Sequence, residues 1–525
     1  MTERTEIERQ QVEYTTLSGQ TFIQIWAGKL YRETGYEKYY SNSRYNNGVV
    51  VFENVEVTTH VFAFGHANEN MLWDVVLINC KLKDLQIRNT HLGNVVIKNT
   101  TIEKFSLENS SITNLEVLEN SSIKNGVHFE KSTIKNIKIE RSTFAFYILK
   151  DCVIEEVKML YATIKAGLSF VFCKLNIFII NRCVIHAADI NDLELKYAAY
   201  FIHCEISNLV CNLIKPQKLS FDGVSIFQLH LYRRVIHKDI ILEFNDCEIA
   251  NIDFDSIQNF GNIYFKNILP LEWWKTPRKR EQESIHKAKR KEAEKEFIPK
   301  ETRITIQNSD IGKTSFIDCN LRLFSRFEFL NSKMLELFIA GSEMPEEIYA
   351  PEGYPAKLLE QQRLGYSQFK SIYEKQGDNI RAWNYKAKEL ETYRLQLRQQ
   401  KTFNNLPERF NLGVLKLTSY YNTSWFRPLI FTLAIALILF TAYCFLLGNT
   451  LGKDYSLFWK NFSFIGEFIN PIHKAETLEN NLRVFPENSI SVSMARFVNY
   501  LSRIIIAFMV YETIQSFRRH GRRIH

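Results

Sequence analysis

The residues most able to carry chemistry are scattered through this chain of 525 residues. Gly312-Lys313-Thr314 matches the end of a phosphate-binding loop, but that loop needs a glycine at position 307, where the chain has Gln307. There is no Gly-x-Ser-x-Gly, His-Glu-x-x-His or Gly-x-Gly-x-x-Gly pattern, and the twelve histidines form no spaced pair. We therefore predict no enzymatic activity and no cofactor or metal site.

Two ionisable residues, Arg503 and Glu512, interrupt an otherwise apolar stretch near the C-terminus. A charge at the bilayer centre costs about 2.5–3.5 kcal/mol on insertion scales, so each is a candidate functional residue. Asn470-Pro471 breaks a helical pattern where a two-span channel would place its filter, and a simple helix stop is the alternative. We select Arg503, Glu512, Asn470 and Pro471 as candidate pore or intramembrane polar residues.

Two segments are apolar enough to cross a membrane. The first, 429–448, contains 19 consecutive uncharged residues from Leu429, which suffices for a hydrocarbon core of about 30 Å. The second, 497–517, contains the two ionisable residues. Between them we predict an extracytoplasmic loop, 449–496, with an amphipathic segment at 457–470 that either lies on the outer surface or dips back as a re-entrant helix.

Basic residues flank this pair of spans on one side of the membrane. They are Lys401, Arg409, Lys416 and Arg427 before the first span, and Arg518, Arg519, Arg522 and Arg523 after the second. The positive-inside rule predicts cytoplasmic N- and C-termini, and the basic tail 518–525 is expected to contact anionic lipid headgroups. Met1–Tyr14 lacks the apolar core of a signal peptide. We expect the lipid bilayer, not nucleic acid, to be the partner of these charges.

Apolar residues recur every five positions through much of the first two thirds of the chain, as in Leu82, Ile87 and Leu92. A period of five fits neither a helix nor a flat strand. It fits a coil with five-residue sides, whose inward residues are buried only by stacking on the next coil. We predict a β-solenoid over 50–345, with bulges where the rhythm slips near Ser122 and Gly167. A β-helix of different side length is the competing geometry.

Units such as Asn79-Cys80-Lys81-Leu82 and Asp318-Cys319-Asn320-Leu321 resemble the pentapeptide-repeat family. The resemblance implies a right-handed quadrilateral β-helix. The chain departs from the family because its small inward position, usually Ala, alternates between Cys, Ser or Thr and a bulky residue. We expect the cysteines at that position to be buried core residues, namely Cys80, Cys152, Cys173, Cys183, Cys204, Cys247 and Cys319.

The remaining segments complete a predicted domain order. Residues 1–49 form an N-terminal cap, and a basic insertion at 271–300 is either a solvated helix or an arm that contacts lipid headgroups or RNA. Residues 356–402 are predicted to form a cytoplasmic helical hairpin. Its turn is Gly377-Asp378, in which glycine ends one helix and aspartate caps the next.

The C-terminal region resembles that of bacterial membrane proteins in which pentapeptide repeats precede a helical hairpin and two ion-channel-like spans. The likeness is carried by Gly377-Asp378, Trp425-Phe426-Arg427-Pro428-Leu429, Asn470-Pro471-Ile472-His473 and Tyr511-Glu512-Thr513-Ile514-Gln515. It implies a multi-pass protein of the bacterial inner membrane.

Two hypotheses follow. In the first, a cytoplasmic repeat scaffold binds an unknown cytoplasmic protein or senses a signal, and is coupled to a homo-oligomeric two-span pore. In the second, the scaffold is anchored in the membrane and conducts nothing. A DNA mimic would need an acidic surface, whereas residues 50–269 carry 22 basic and 25 acidic side chains.

Overall fold

The computed structural model describes residues 14–27, 43–46, 49–64, 74–191, 193–212, 215–216, 218–232, 235–271, 301–351, 358–400, 403–421, 423–424, 426–448, 455–470, 472 and 475–521. The chain divides into two compact units, Met1–Gly353 and Tyr354–His525.

Among its described residues, the first unit contains one short α-helix, α1 (Gly19–Trp26), one 3-10 turn at Leu321–Leu323, and 32 strands. The strands are β1 (Thr15–Leu17), β2 (Ser43–Asn46), β3 (Val49–Glu53), β4 (Val55–Phe64), β5 (Asp74–Ile78), β6 (Lys81–Arg88), β7 (His91–Lys98), β8 (Thr101–Glu108), β9 (Ser111–Leu118), β10 (Ser122–Ile123), β11 (Val127–Glu130), β12 (Thr133–Glu140), β13 (Thr143–Lys150), β14 (Val153–Leu160), β15 (Thr163–Val171), β16 (Lys174–Asn181), β17 (Val184–Asn191), β18 (Glu194–Ile202), β19 (Glu205–Asn212), β20 (Lys215–Pro216), β21 (Lys218–Asp222), β22 (Ser225–Tyr232), β23 (Val235–Ile236), β24 (Ile241–Asn245), β25 (Glu248–Asp255), β26 (Gln258–Asn259), β27 (Asn262–Lys266), β28 (Leu269–Pro270), β29 (Arg303–Gln307), β30 (Thr314–Ile317), β31 (Arg326–Leu330) and β32 (Phe338–Ala340).

Successive strands alternate between two 15-stranded sheets, and β23 pairs with β26 in a small third sheet. The pairing is parallel except between β2 and β3. In the regular region a strand pairs with the one that begins twenty residues later, as β6 does with β8. The predicted β-solenoid is confirmed, with about twelve coils.

Each full-length strand bends after its second residue and so supplies two sides of a coil. In β6 the register with β8 continues through Lys81 and Leu82 and resumes at Asp84, while Leu82, Leu85 and Ile87 are buried. Two such strands make a coil with four sides and two inward residues on each side. This is the burial pattern that the five-residue period predicts.

The corners explain why small and large inward residues alternate. Asn79, Asn89 and Asn99 occupy left-handed backbone conformations, with φ of 51°, 51° and 46°, at every second corner. The residue after each of these three corners is small, as in Thr90, whose hydroxyl donates to the Arg88 carbonyl at 2.8 Å and whose amide donates to the Ser110 hydroxyl at 3.2 Å. The other corners stay extended and are followed by large residues.

Aromatic rings stack along the interior of the solenoid. Phe201, Phe221, Phe244, Phe265 and Phe316 lie one above another in successive coils, with centroids 4.8–5.0 Å apart. This ladder continues the hydrophobic core through the coils on either side of the 272–300 segment.

The solenoid begins with a helix and contains local irregularities. Ser18 caps α1, and Phe22 of that helix stacks on Phe52 at 4.1 Å, which covers the first coils with apolar surface. The bulge predicted near Gly167 is confirmed by a register shift between β13 and β15. The basic insertion predicted at 271–300 lies outside the described residues, apart from Leu271.

The second unit is helical. Its helices are α2 (Leu358–Lys375), α3 (Asn379–Gln399), α4 (Leu406–Ser419), α5 (Phe426–Leu446), α6 (Tyr455–Phe462), α7 (Ile465–Ile469), α8 (Ala475–Leu482) and α9 (Ile490–Gly521). Helices α2 and α3 form the expected hairpin: Gly377 has a φ of 79°, and the Asp378 carboxylate accepts from the Arg381 amide at 3.0 Å. Helix α4 was not predicted from the sequence.

Helices α5 and α9 pack against each other as an antiparallel pair. Thr432, near the start of α5, meets Thr513, near the end of α9, with 3.4 Å between their hydroxyl oxygens. At the opposite end, the Leu447 carbonyl accepts from the Val484 amide just before α9 begins. These two helices are long and apolar enough to cross a membrane, with mean hydropathy of 2.6 and 1.3 over their most apolar stretches.

Candidate membrane and partner-binding surfaces

The surface of the α5–α9 pair is apolar, and its interior contains polar groups. The buried polar residues are Thr432, Asn499, Ser502, Glu512 and Ser516. The exposed large apolar residues are Phe426, Leu429, Ile430, Leu433, Leu437, Ile438 and Phe445 on α5, and Ile490, Met494, Phe497, Tyr500, Leu501, Ile504, Phe508, Tyr511, Ile514 and Phe517 on α9. This arrangement suits a hydrocarbon solvent, in which polar groups find partners between helices.

The two helices leave most of their apolar surface exposed. Only 28% of the most apolar stretch of either helix is buried. The core helix of a soluble protein would bury most of that surface. Helix α9 is 32 residues long, about 48 Å at 1.5 Å per residue, and therefore exceeds a hydrocarbon core of about 30 Å.

The structure places Arg503 and Glu512 at different depths of α9. Nine residues separate them, which is about 13.5 Å along the helix axis. Glu512 is 8% exposed and lies at the level of Thr513 and Thr432. Arg503 is half-buried, and its guanidinium lies 5.7 Å from the ring centre of Tyr500. The two candidates are thus not brought together in one site.

Asn470 ends helix α7, where it is exposed and its side-chain oxygen accepts from the Ile472 amide at 3.1 Å. Pro471 lies outside the described residues. The preceding Phe468 is buried against Phe440 and Tyr443 of α5, with ring centres 5.5 and 5.6 Å apart. The segment between the spans therefore packs on the last two turns of α5.

An ion network joins α8 to the first turns of α9. The Glu479 carboxylate is buried and accepts two hydrogen bonds from Arg496, both of 2.9 Å, and a third from Arg483 at 3.2 Å. The bonds from Arg496 lower the pKa of Glu479 against the opposing effect of burial. Sequence spacing did not reveal this network, because Glu479 and Arg496 lie 17 residues apart.

The basic tail is only partly described. Arg518 is exposed in the last turns of α9, and Arg519 lies in the same helix. Arg522 and Arg523 lie outside the described residues.

A groove of about 1180 Å³ runs along one side of the solenoid. It has an apolar floor that includes Val153 and Phe260, which are 48% and 59% exposed. Its charged lining consists of four lysines and four carboxylates: Lys174, Lys196, Lys238, Lys313, Glu155, Glu194, Asp239 and Glu336. An elongated groove with mixed charge suits a peptide segment better than a compact anionic ligand.

The phosphate-loop-like triplet Gly312-Lys313-Thr314 lies at a solenoid corner. Gly312 has a φ of 44°, and a Cβ there would lie 2.0 Å from the Asn259 carbonyl oxygen. The hydroxyl of Thr314 is buried and donates to the Ile311 carbonyl at 2.5 Å. Only Lys313 of the triplet lines the groove.

The cysteines occupy the core, as predicted. All seven at the small inward position are buried as free thiols. Burial raises the pKa of Cys80 to about 11 and that of Cys247 to about 12, so these thiols stay protonated. Within the part of the chain that the structure describes, no group of three or more His, Cys, Asp or Glu side chains could hold a metal ion.

Comparisons with family models, with curated proteins and with solved structures found no match to this chain.

Proposed function

We propose that this protein is an integral protein of the bacterial inner membrane whose pentapeptide-repeat-like solenoid is a cytoplasmic scaffold for a partner protein. The observation that carries the proposal is the exposed apolar surface of α5 and α9, which bury polar side chains such as Asn499 and Glu512 beside the apolar cluster around Ala436 and Phe440. The cations around Arg427 and Arg518 support a cytoplasmic position for the end where α5 begins and α9 ends.

The partner in this proposal is a protein segment that lies in the solenoid groove. The apolar floor around Val153 and Phe260 would hold its apolar side chains. The four lysines and four carboxylates along the walls favour a segment with both signs of charge, and they give no basic patch of the kind that nucleic acid requires. The solenoid is thus proposed to act by binding, without enzymatic chemistry.

The α5–α9 pair favours an anchor over a pore. Across the middle of α9, the exposed face consists of apolar or aromatic residues such as Leu501, Ile504 and Phe508. A pore built from several copies needs polar groups on a face that can line water. In this pair, Glu512 and Ser502 face the neighbouring helix, where polar groups hold transmembrane helices together.

A pore is the second candidate, and the buried Glu512 is the observation in its favour. An ionisable residue within a span is costly, and it is commonly found on an ion or proton pathway. For Glu512 to serve in this way, α9 would have to rotate in an oligomer so that the carboxylate reached the lumen.

Two measurements on the full-length protein test the proposal. After an alkaline carbonate wash, the protein should stay in the membrane pellet; release into the supernatant would contradict the anchor. In planar bilayers, purified protein should give no conductance steps. Steps that disappear in Glu512→Gln but persist in the matched variant Glu487→Gln, outside the spans, would instead support the pore.

The groove is tested by photo-crosslinking in cells. A photoreactive residue at Phe260 should give an adduct of one defined mass. The same residue at Phe172, which is 58% exposed but outside the groove lining, is the matched control and should give none. Equal adducts at both positions, or none at either, would count against the groove as the partner site.

A further inference from the structure

Helix α4 is amphipathic in an unusual way, because it has apolar residues on two opposite faces. One face is buried against α3, where Leu412 and Tyr421 join Leu397 in a small hydrophobic cluster. The other face is a stripe of Leu406, Phe410 and Leu417, which are 55%, 72% and 66% exposed. At 100° per residue these three positions fall within about 40° of one another, so they form one continuous apolar strip.

The position of α4 relates this stripe to the membrane. Only six residues, 420–425, separate the end of α4 from the start of α5, and α4 contacts both α5 and α9. It therefore lies at the end of the pair where α5 begins, the end that carries Arg427. If α5 and α9 cross a membrane, an apolar stripe beside this end of the pair lies next to the lipid headgroups.

The charged residues next to the stripe also suit a position at the lipid headgroups. Arg409 and Lys416 follow one flank of the stripe, about 60–80° from Leu406 around the helix. Arg427 packs over the half-exposed Tyr420, with 5.3 Å between its guanidinium carbon and the ring centre. Cations that flank an apolar strip, with an aromatic residue at its end, are the usual side chains at a lipid headgroup surface.

A carboxylate cluster fixes the orientation of α4. The carboxylate of Glu391 on α3 accepts from Lys416 at 2.6 Å, from Arg394 at 2.7 and 3.0 Å, and from the hydroxyl of Tyr421. Because Lys416 and Tyr421 bracket the end of α4, this cluster ties the helix to the hairpin and leaves its apolar stripe facing away from α3.

We propose that α4 is an interfacial helix whose Leu406–Phe410–Leu417 stripe inserts into the cytoplasmic headgroup layer, while Arg409 and Arg427 contact lipid phosphates. The inference rests on the proposed membrane anchorage by α5 and α9. It adds a third membrane element, one that holds the α2–α3 hairpin against the bilayer surface without crossing it.

The test uses full-length protein in vesicles of phosphatidylcholine and phosphatidylglycerol at three to one, with and without a lipid spin-labelled near its headgroup. Single cysteines that carry an environment-sensitive fluorophore replace Phe410, Asn411 or Ile438. Asn411 is exposed on the same helix but lies about 120° from the stripe, so it is the matched control. Ile438 lies on the outer face of α5 and reports on the span. Unsubstituted protein gives the labelling background of the buried native cysteines.

The fluorophore at 410 should be quenched at least twofold more strongly by the spin-labelled lipid than the one at 411. A second lipid, spin-labelled in the middle of its acyl chain, should quench the fluorophore at 438, which lies near the middle of α5. Quenching at 438 with equal, weak quenching at 410 and 411 would overturn the interfacial helix and leave the anchor standing. A fluorophore at 410 that is shielded from water but not quenched by lipid would show that a second copy covers the stripe, and this also overturns the inference. No response at 438 would contradict the proposed membrane anchorage by α5 and α9.

Discussion

The solenoid and the α5–α9 pair both bury apolar side chains, but they differ in what they expose and in which polar groups they bury. In the solenoid, the interior is a stack of apolar rings and branched side chains, and the charged residues lie outside. In the helix pair, residues such as Ile438 and Phe508 are exposed and Asn499 and Glu512 are buried. The exposed apolar surface of the pair supports the proposal that lipid surrounds it, because apolar burial is favourable only relative to water.

The same apolar residue type should therefore have opposite importance in the two units, and this gives the largest expected effect. Phe244→Ala in the stacked ladder should destabilise the solenoid by about 3–5 kcal/mol, because it leaves a cavity between Phe221 and Phe265. Phe508→Ala on the outer face of α9 should cost far less. Chemical denaturation of both detergent-solubilised variants measures this, and equal losses would mean that Phe508 is buried in a core.

Introducing a charge at an exposed position should have the opposite pattern, with a larger loss on α9 than on the solenoid. Phe508→Arg places a guanidinium on the outer face of α9, and we expect a loss of about 2.5–3.5 kcal/mol in membrane insertion. Phe172→Arg, at an exposed solenoid corner, should change stability by less than about 0.5 kcal/mol. The fraction of protein that remains in the membrane after a carbonate wash reports the first, and thermal unfolding reports the second. Full retention of Phe508→Arg would argue against a lipid-facing position.

Buried polar groups should also contribute different amounts to stability in the two units. The hydroxyl of Thr100 donates to the Lys98 carbonyl at 2.8 Å and accepts from the Cys80 amide at 3.1 Å, so Thr100→Val leaves a buried amide without its acceptor. We expect a loss of about 1–3 kcal/mol. Ser502→Ala on α9 removes a hydroxyl that donates to the Asn499 carbonyl of the same helix at 2.8 Å, and it should cost only about 0.5 kcal/mol because no donor loses its acceptor. Denaturant titration of each variant compares them, and a larger loss for Ser502→Ala would reverse the comparison.

The smallest effect concerns the α3–α4 junction, where a charged cluster lies beside the small hydrophobic cluster around Leu397 and Leu412. Although burial opposes it, hydrogen bonds from Arg394, Lys416 and Tyr421 lower the pKa of Glu391 to about 2. A carboxyl whose folded pKa is depressed stabilises the fold above its unfolded pKa of about 4.3, and this stability is lost as the pH falls towards 2.

Glu391→Gln should reduce stability at pH 7 by an amount on the order of 1 kcal/mol, because the carboxylate is only partly shielded from water. The difference in thermal midpoint between this variant and the unchanged protein should shrink between pH 4.3 and 2. A difference that stayed constant over this range would show that the charge of Glu391 does not stabilise the junction. Glu389→Gln, two residues earlier in the same helix, is the control, because its carboxylate is similarly exposed and pairs with Lys370 on α2 at 3.3 Å instead of with α4.

The solenoid was predictable because its pattern is local and repeated. Two inward positions in every five, as in Leu85 and Ile87, indicate the four-sided coil before any long-range contact is known. The alternation of Cys80 with Leu85 was visible but unexplained, since its cause is a hydrogen bond between coils twenty residues apart. Helix α4 was missed because its apolar residues lie on two faces, which obscures the single amphipathic period. The Glu391 cluster joins residues up to 30 positions apart, and spacing does not reveal such contacts.

The twenty-residue register of the coils has a mechanical consequence. Backbone hydrogen bonds between coils run along the solenoid axis, so a pull applied to one end acts first on the outermost coil alone. Each coil that detaches frees about 65–70 Å of extended chain, at 3.3–3.6 Å per residue, in exchange for a rise of about 4.8 Å. When the two ends of the solenoid are pulled apart, its coils would therefore detach one at a time, and a force–extension curve would show one step for each coil.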